Sequence, residues 1–67
     1  MWIRRPNSAV NMDHIRQIFR EGERIMFIAA DGKRYILCEY ASEKEAKQAF
    51  GAIWSAMSIG CKVVEVG

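Results

Sequence analysis

Apolar residues recur at helical spacing over one long stretch of this chain, from Ser42 to Gly60. Ala46, Phe50, Ile53, Trp54 and Met57 fall at i, i+4, i+7, i+8 and i+11, the spacing of one helix stripe. Lys44, Lys47, Gln48, Gly51 and Ser55 fall on the opposite side. Ser42 is a good N-cap, and Glu45 three residues on completes a capping box. Glu43 and Glu45 place negative charge at the positive end of the helix dipole. Gly60 takes the left-handed conformation that closes such a helix. The stripe predicts that Phe50, Ile53, Trp54 and Met57 are buried.

Elsewhere the pattern has period two. Met1 to Arg5 reads as a first strand, and Pro6-Asn7-Ser8 as a turn. Ala9-Val10 then pairs back on the first strand, and Asn11-Met12-Asp13 is a second tight turn. His14 to Arg20 fits either period. Its shortness and its β-rich sequel favour a strand, with one helical turn at Asn11 to His14. Arg24 to Ala30 and Lys33 to Tyr40 form the clearest hairpin. Asp31-Gly32 between them suits a two-residue type I′ turn, because glycine accepts positive φ and aspartate tolerates it. That register sets Ile28 against Tyr35, Met26 against Leu37 and Arg24 against Glu39, the last an opposite-charge pair. The other face carries Ile25, Phe27, Ile36, Cys38 and Tyr40. Being richer, it is assigned to the helix, with Cys38 beneath it. Cys61 to Val66 alternates as a last strand on an edge, where Lys62 and Glu65 discourage unwanted pairing. The expected architecture is α+β: one domain over 1–67, a small antiparallel β-meander packed on one face by a single α-helix in the C-terminal half, then a short β-strand.

Sixty-seven residues make one small domain, which buries roughly 60% of its unfolded surface. There is little room for both a core and an elaborate active site. Apolar residues make up 51% of the chain, enough for a globular fold and against disorder. Net charge is +2, too balanced to imply nucleic acid by itself. Seven of the ten basic residues nevertheless precede residue 35. Cys38 and Cys61 stand far apart with no CxxC spacing. The chain opens without a long apolar run, and no segment approaches the roughly 18 apolar residues of a membrane span. These features predict a cytoplasmic protein with free thiols and no membrane partner.

The opening Met1-Trp2-Ile3 strand, the turn Val10-Asn11-Met12-Asp13-His14-Ile15, and Leu37-Cys38-Glu39-Tyr40 followed by Ser42-Glu43-Lys44-Glu45-Ala46 resemble a class of proteins. They are similar to short uncharacterised proteins of Gram-positive bacteria and their phages and mobile elements. The resemblance covers most of residues 1–57. It implies a β-meander closed by one helix and no activity. The valine-rich tail after Gly60 departs from the pattern.

Candidate chemistry is sparse. His14 beside Asp13 is the sole acid–base pair; strand neighbours point to opposite faces, whereas a turn could bring them together. No nucleophile accompanies it. Metal binding would need Cys38, Cys61, His14 and one carboxylate to converge from distant segments, without the close ligand pairs of structural zinc sites. No catalytic, cofactor or metal residues are assigned, and the chain is not expected to be an enzyme.

Two readings of function follow. The first is a non-catalytic protein-interaction or structural module that self-associates as a homodimer. Met26, Ile28, Tyr35 and Leu37 share the sheet face that one helix cannot cover, and a two-fold dimer is the commonest way to hide such a patch. The helix's small residues Gly51, Ala52, Ser55 and Ala56, and the valine tail, are further candidate contacts. The alternative is a nucleic-acid-binding accessory protein of a mobile element. Arg4, Arg5, Arg16 and Arg20 would then meet phosphate, supported by Arg24, Lys33 and Arg34, with Trp2 and Tyr35 stacking on bases.

Overall fold

The computed structural model describes residues 1–66. The elements run β1 (Trp2–Arg5), β2 (Ser8–Asn11), a single 3-10 turn (Met12–His14), β3 (Ile15–Glu21), β4 (Arg24–Ala29), β5 (Arg34–Glu39), α1 (Glu43–Ile59) and β6 (Val63–Glu65). The strands form two three-stranded sheets, in the orders β2-β1-β6 and β3-β4-β5. The second is the expected antiparallel meander, with α1 packed on one face. The first sheet contains the expected pairing of β2 back on β1, and its third strand is the feature that period and turn signals did not reveal. In it β2 folds back antiparallel on β1, while β6 lies parallel to β1 with Ile3 opposite Val64.

Local chemistry explains the turns. The Asn11 side chain accepts the Asp13 N–H at 3.1 Å and starts the 3-10 turn. Gly22 takes φ +62° at the first position of the two-residue Gly22-Glu23 loop, where a type II′ hairpin turn needs glycine. The β4–β5 connection corrects the two-residue type I′ expectation. Ala29 accepts the Gly32 N–H at 2.9 Å, and its own N–H donates to the Lys33 carbonyl at 3.0 Å. The loop is therefore Ala30-Asp31-Gly32, with the left-handed φ of +84° confined to Gly32. Asp31 avoids the positive φ that a type I′ turn would demand of it, and its carboxylate instead accepts the Lys33 N–H at 2.9 Å.

One added loop residue moves the hairpin register. Met26, Phe27 and Ile28 face Ile36, Tyr35 and Arg34, while Ile25 and Arg24 still face Cys38 and Glu39. Leu37 is the extra residue at the resulting bulge, and it turns inward. The core is Ile3, Ile25, Phe27, Leu37 and Ile53, with Leu37 only 2% exposed. Ile36, expected beneath the helix, is 45% exposed on the opposite face. Cys38, expected beneath the helix as well, is half-buried.

The helix starts and ends as its sequence signals require. The Ser42 hydroxyl accepts the Glu45 N–H at 3.2 Å, and Gly60 sits at φ +75°. The N–H groups of Gly60 and Cys61 reach the carbonyls of Met57 and Ala56 at 3.3 and 3.0 Å, a complete Schellman closure. Its buried stripe differs from the expected one. Ala46, Ile53 and Ala56 are buried and Ala49 and Phe50 half-buried, whereas Trp54 is 62% and Met57 42% exposed. Small alanines allow the helix axis to approach the sheet closely, so the stripe that faces the core is the alanine-rich one.

Candidate interaction surface

The new register decides which residues share each face of the meander. Phe27 and Tyr35 stand opposite each other, and their rings stack at 5.3 Å. Tyr35 and Leu37 therefore belong with the helix-side face, and only Met26 and Ile28 of the expected self-association set lie on the far side. The set Met26, Ile28, Tyr35 and Leu37 is split by one bulge.

The far face has its own apolar strip. Phe19 opposes Met26, and Met26 opposes Ile36, so a row crosses all three strands. Ile28, between Gln17 and Arg34, extends it. None of these four apolar residues joins the core cluster. The Arg34 guanidinium lies 5.6 Å from the Phe19 ring, so its side chain reaches over β4 from β5 to β3. This places a cation on an aromatic face and lays an apolar stem along the strip.

The two ends of this face differ in charge. At one end Glu21, Arg24 and Glu39 are cross-strand neighbours. Arg24 pairs with Glu39 at 3.1 Å, which leaves Glu21 as excess negative charge. At the other end Gln17, Ile28 and Arg34 are cross-strand neighbours, and the long Arg34 side chain carries its positive charge from that end onto the Phe19 ring. Arg16, the extra residue of a second irregularity between Ile15 and Gln17, extends toward the Gly32 loop.

The four arginines considered for anion contact are not gathered into one patch. Arg4 pairs with Glu65 at 3.1 Å. Arg5 donates to the Ser8 hydroxyl at 2.9 Å and to the carbonyls of Ile36 and Leu37. Arg20 reaches the Gly22 carbonyl at 2.9 Å and Glu43 at 3.3 Å, tying β3 to the start of α1. Arg16 lies exposed on β3. A cavity of about 380 Å³ beside Arg4 and Arg5 is also lined by the Glu65 carboxylate, which offsets their charge. Trp2 and Tyr35, the expected stacking rings, lie in different sheets, 47% and 42% exposed.

The Asp13 carboxylate faces the terminal amine at 3.9 Å, and no hydrogen bond joins it to His14 among the described residues. No three of His, Cys, Asp and Glu come together there to hold a metal ion. No helix among the described residues is long and apolar enough to cross a membrane.

Sequence reasoning missed the half-buried Phe19 and the exposed Ile36 as residues of this far face. Phe19 alternates with Ile18, and the Gly22-Glu23 loop fixes the β3–β4 register, so a two-residue Gly-X turn was the signal that could have placed it. Comparison with protein-family models, with curated proteins and with solved structures finds no match to this chain.

Proposed function

We propose that this protein is a small non-catalytic interaction module that self-associates as a two-fold dimer through the far face of its meander. One observation carries the reading: Phe19, Met26, Ile28 and Ile36 form a continuous apolar strip over three strands, on the face opposite α1. Contiguous apolar surface on a small soluble domain marks a protein contact. The charge at its ends favours a second copy as the occupant. A two-fold axis in the interface plane, perpendicular to the strands, brings the Glu21 end of one copy against the Arg34 end of the other. Opposite charges then meet at both rims once each Arg34 guanidinium swings from the Phe19 ring to its rim, while the apolar rows meet in the middle.

Light scattering after gel filtration tests this reading. The wild type is expected at twice the chain mass at micromolar concentration. Ile36→Glu is expected to give a folded monomer, since Ile36 is 45% exposed and lies outside the core. Circular dichroism checks the fold. A wild-type monomer across a wide concentration range overturns the proposal, as does a dimer that survives Ile36→Glu.

A further inference from the structure

The sulfur-bearing side chains are unevenly distributed. Three of the four methionines and one of the two cysteines, namely Met1, Met12, Met57 and Cys61, line one groove of about 470 Å³ between the C-terminal end of α1 and the start of β3. Backbone hydrogen bonds fix this convergence. The Met12 N–H donates to the Met1 carbonyl at 2.8 Å, one rung beyond the Trp2–Asn11 pair of β1 and β2. The Trp2 N–H donates to the Lys62 carbonyl at 2.8 Å, which sets the segment around Cys61 alongside Met1. The Schellman closure then folds Cys61 back toward Met57, whose carbonyl accepts the Gly60 N–H at 3.3 Å. The residue before β1, the 3-10 turn, the end of the helix and the segment after it thus deliver one thiol and three thioethers to one groove.

We infer that this groove is a binding site for a soft monovalent metal ion, Cu(I), held by the Cys61 thiolate and the thioethers of Met12, Met57 and Met1. Asp13 and Arg16 also line the groove, but no three of Cys, His, Asp and Glu come together among the described residues to suit Zn(II), whereas thioether and thiolate sulfur select Cu(I). Methionine also fills irregular gaps in cores. Met1 and Met12 are half-buried against the edge of the core, but Met57 is 42% exposed and all three line the open groove. On binding, the Cys61 S–H bond gives way to a Cu–S bond and the proton passes to solvent, with no change of oxidation state. The ligand set joins the end of the helix to the first sheet, so the ion would brace both.

The test is an anaerobic titration of the reduced protein with Cu(I) against a coloured Cu(I) chelator. The wild type is expected to withdraw one equivalent. Cys61→Ser should weaken binding by at least tenfold, and Met12→Leu and Met57→Leu by at least threefold each. Leucine conserves the volume of methionine, so loss of fold does not mimic loss of a ligand, and circular dichroism verifies this. Cys38→Ser and Met26→Leu, outside the groove, should leave affinity unchanged. The proposal is overturned if Cys38→Ser weakens binding as much as Cys61→Ser, if both leucine variants bind like the wild type, or if Zn(II) displaces the bound Cu(I) stoichiometrically.

Discussion

The guanidinium of Arg5, in the first sheet, donates to the carbonyl of Ile36, in the second, at 3.2 Å. The adjoining Leu37 carbonyl receives the same nitrogen at 3.4 Å. These are carbonyls of the bulge in β5, where the regular ladder is interrupted and another donor is needed. Arg5 is thus both a tie between sheets and a partner for the irregularity that turns Leu37 inward. Arg5→Ala should lower stability by about 1–2 kcal/mol, toward the low end for a charged hydrogen bond because the site is partly solvated. Arg5→Lys should recover little, because a lysine ammonium lacks the planar fork. Urea denaturation reads both variants, and an unchanged midpoint for Arg5→Ala would remove the role assigned to it.

Leu37 and Ile36 are neighbours with opposite fates, and the difference is measurable. Leu37→Lys should leave the chain unfolded at room temperature, since it buries an unpaired ammonium in a small core. Ile36→Lys should fold normally. The same circular dichroism spectrum from both variants would mean that the register is wrong.

On the helix, Ile53→Ala should cost about 2–5 kcal/mol through the cavity it leaves. Trp54→Ala should change stability by less than about 1 kcal/mol, because its ring is 62% exposed. Thermal melts of the pair would reverse that order if the larger residue faced the core.

This contrast shows what the residues disclosed and what they concealed. The N-cap at Ser42, the closure at Gly60, the strands and the overall α+β plan follow from local chemistry, which the sequence carries openly. The helix stripe does not. Trp54 and Met57 carry more hydrophobic weight than Ala46, Ala49 and Ala56, yet close approach of the helix favours the small side chains. The meander face was equally hard to read. Both faces of Arg24–Glu39 are apolar, so alternation alone leaves the register free, and one residue in the Ala30-Asp31-Gly32 loop decides it. The parallel contact between β1 and β6 joins distant segments and leaves no local signature.

Glycine positions separate backbone strain from open space. Gly51 lies inside α1 with nothing near the position of an added Cβ, so Gly51→Ala should stabilise the protein by about 0.5–1 kcal/mol. Gly60, at φ +75°, should lose about 1–2 kcal/mol on the same change. Denaturant midpoints moving in the same direction would contradict the assigned conformations.

The phenol of Tyr35 donates to the Asp31 carboxylate at 3.2 Å. The Asp31 charge, with smaller contributions from desolvation and that hydrogen bond, raises the Tyr35 pKa above its ordinary value of 10.0. A raised value in the folded state means that this contribution to stability is fully present below about pH 10 and is lost as pH climbs through the folded value. Ultraviolet titration, with Tyr35→Phe as the subtraction, should place the midpoint above 10, and Asp31→Asn should bring it down. A wild-type midpoint at or below the ordinary value would refute the coupling.

The pairing of Ile3 with Val64 has a consequence for the order of assembly during synthesis. Ile3 is fully buried, and Val64, its partner in β6, packs against the same core. A ribosome delivers β1 first and β6 last, so the meander and helix can form while one flank of β1 still waits for its neighbour. Closing so long a loop costs conformational entropy that hairpins avoid. Until β6 emerges, the nascent chain carries an open strand edge beside an apolar core, the kind of transient surface on which misassembly between neighbouring chains begins.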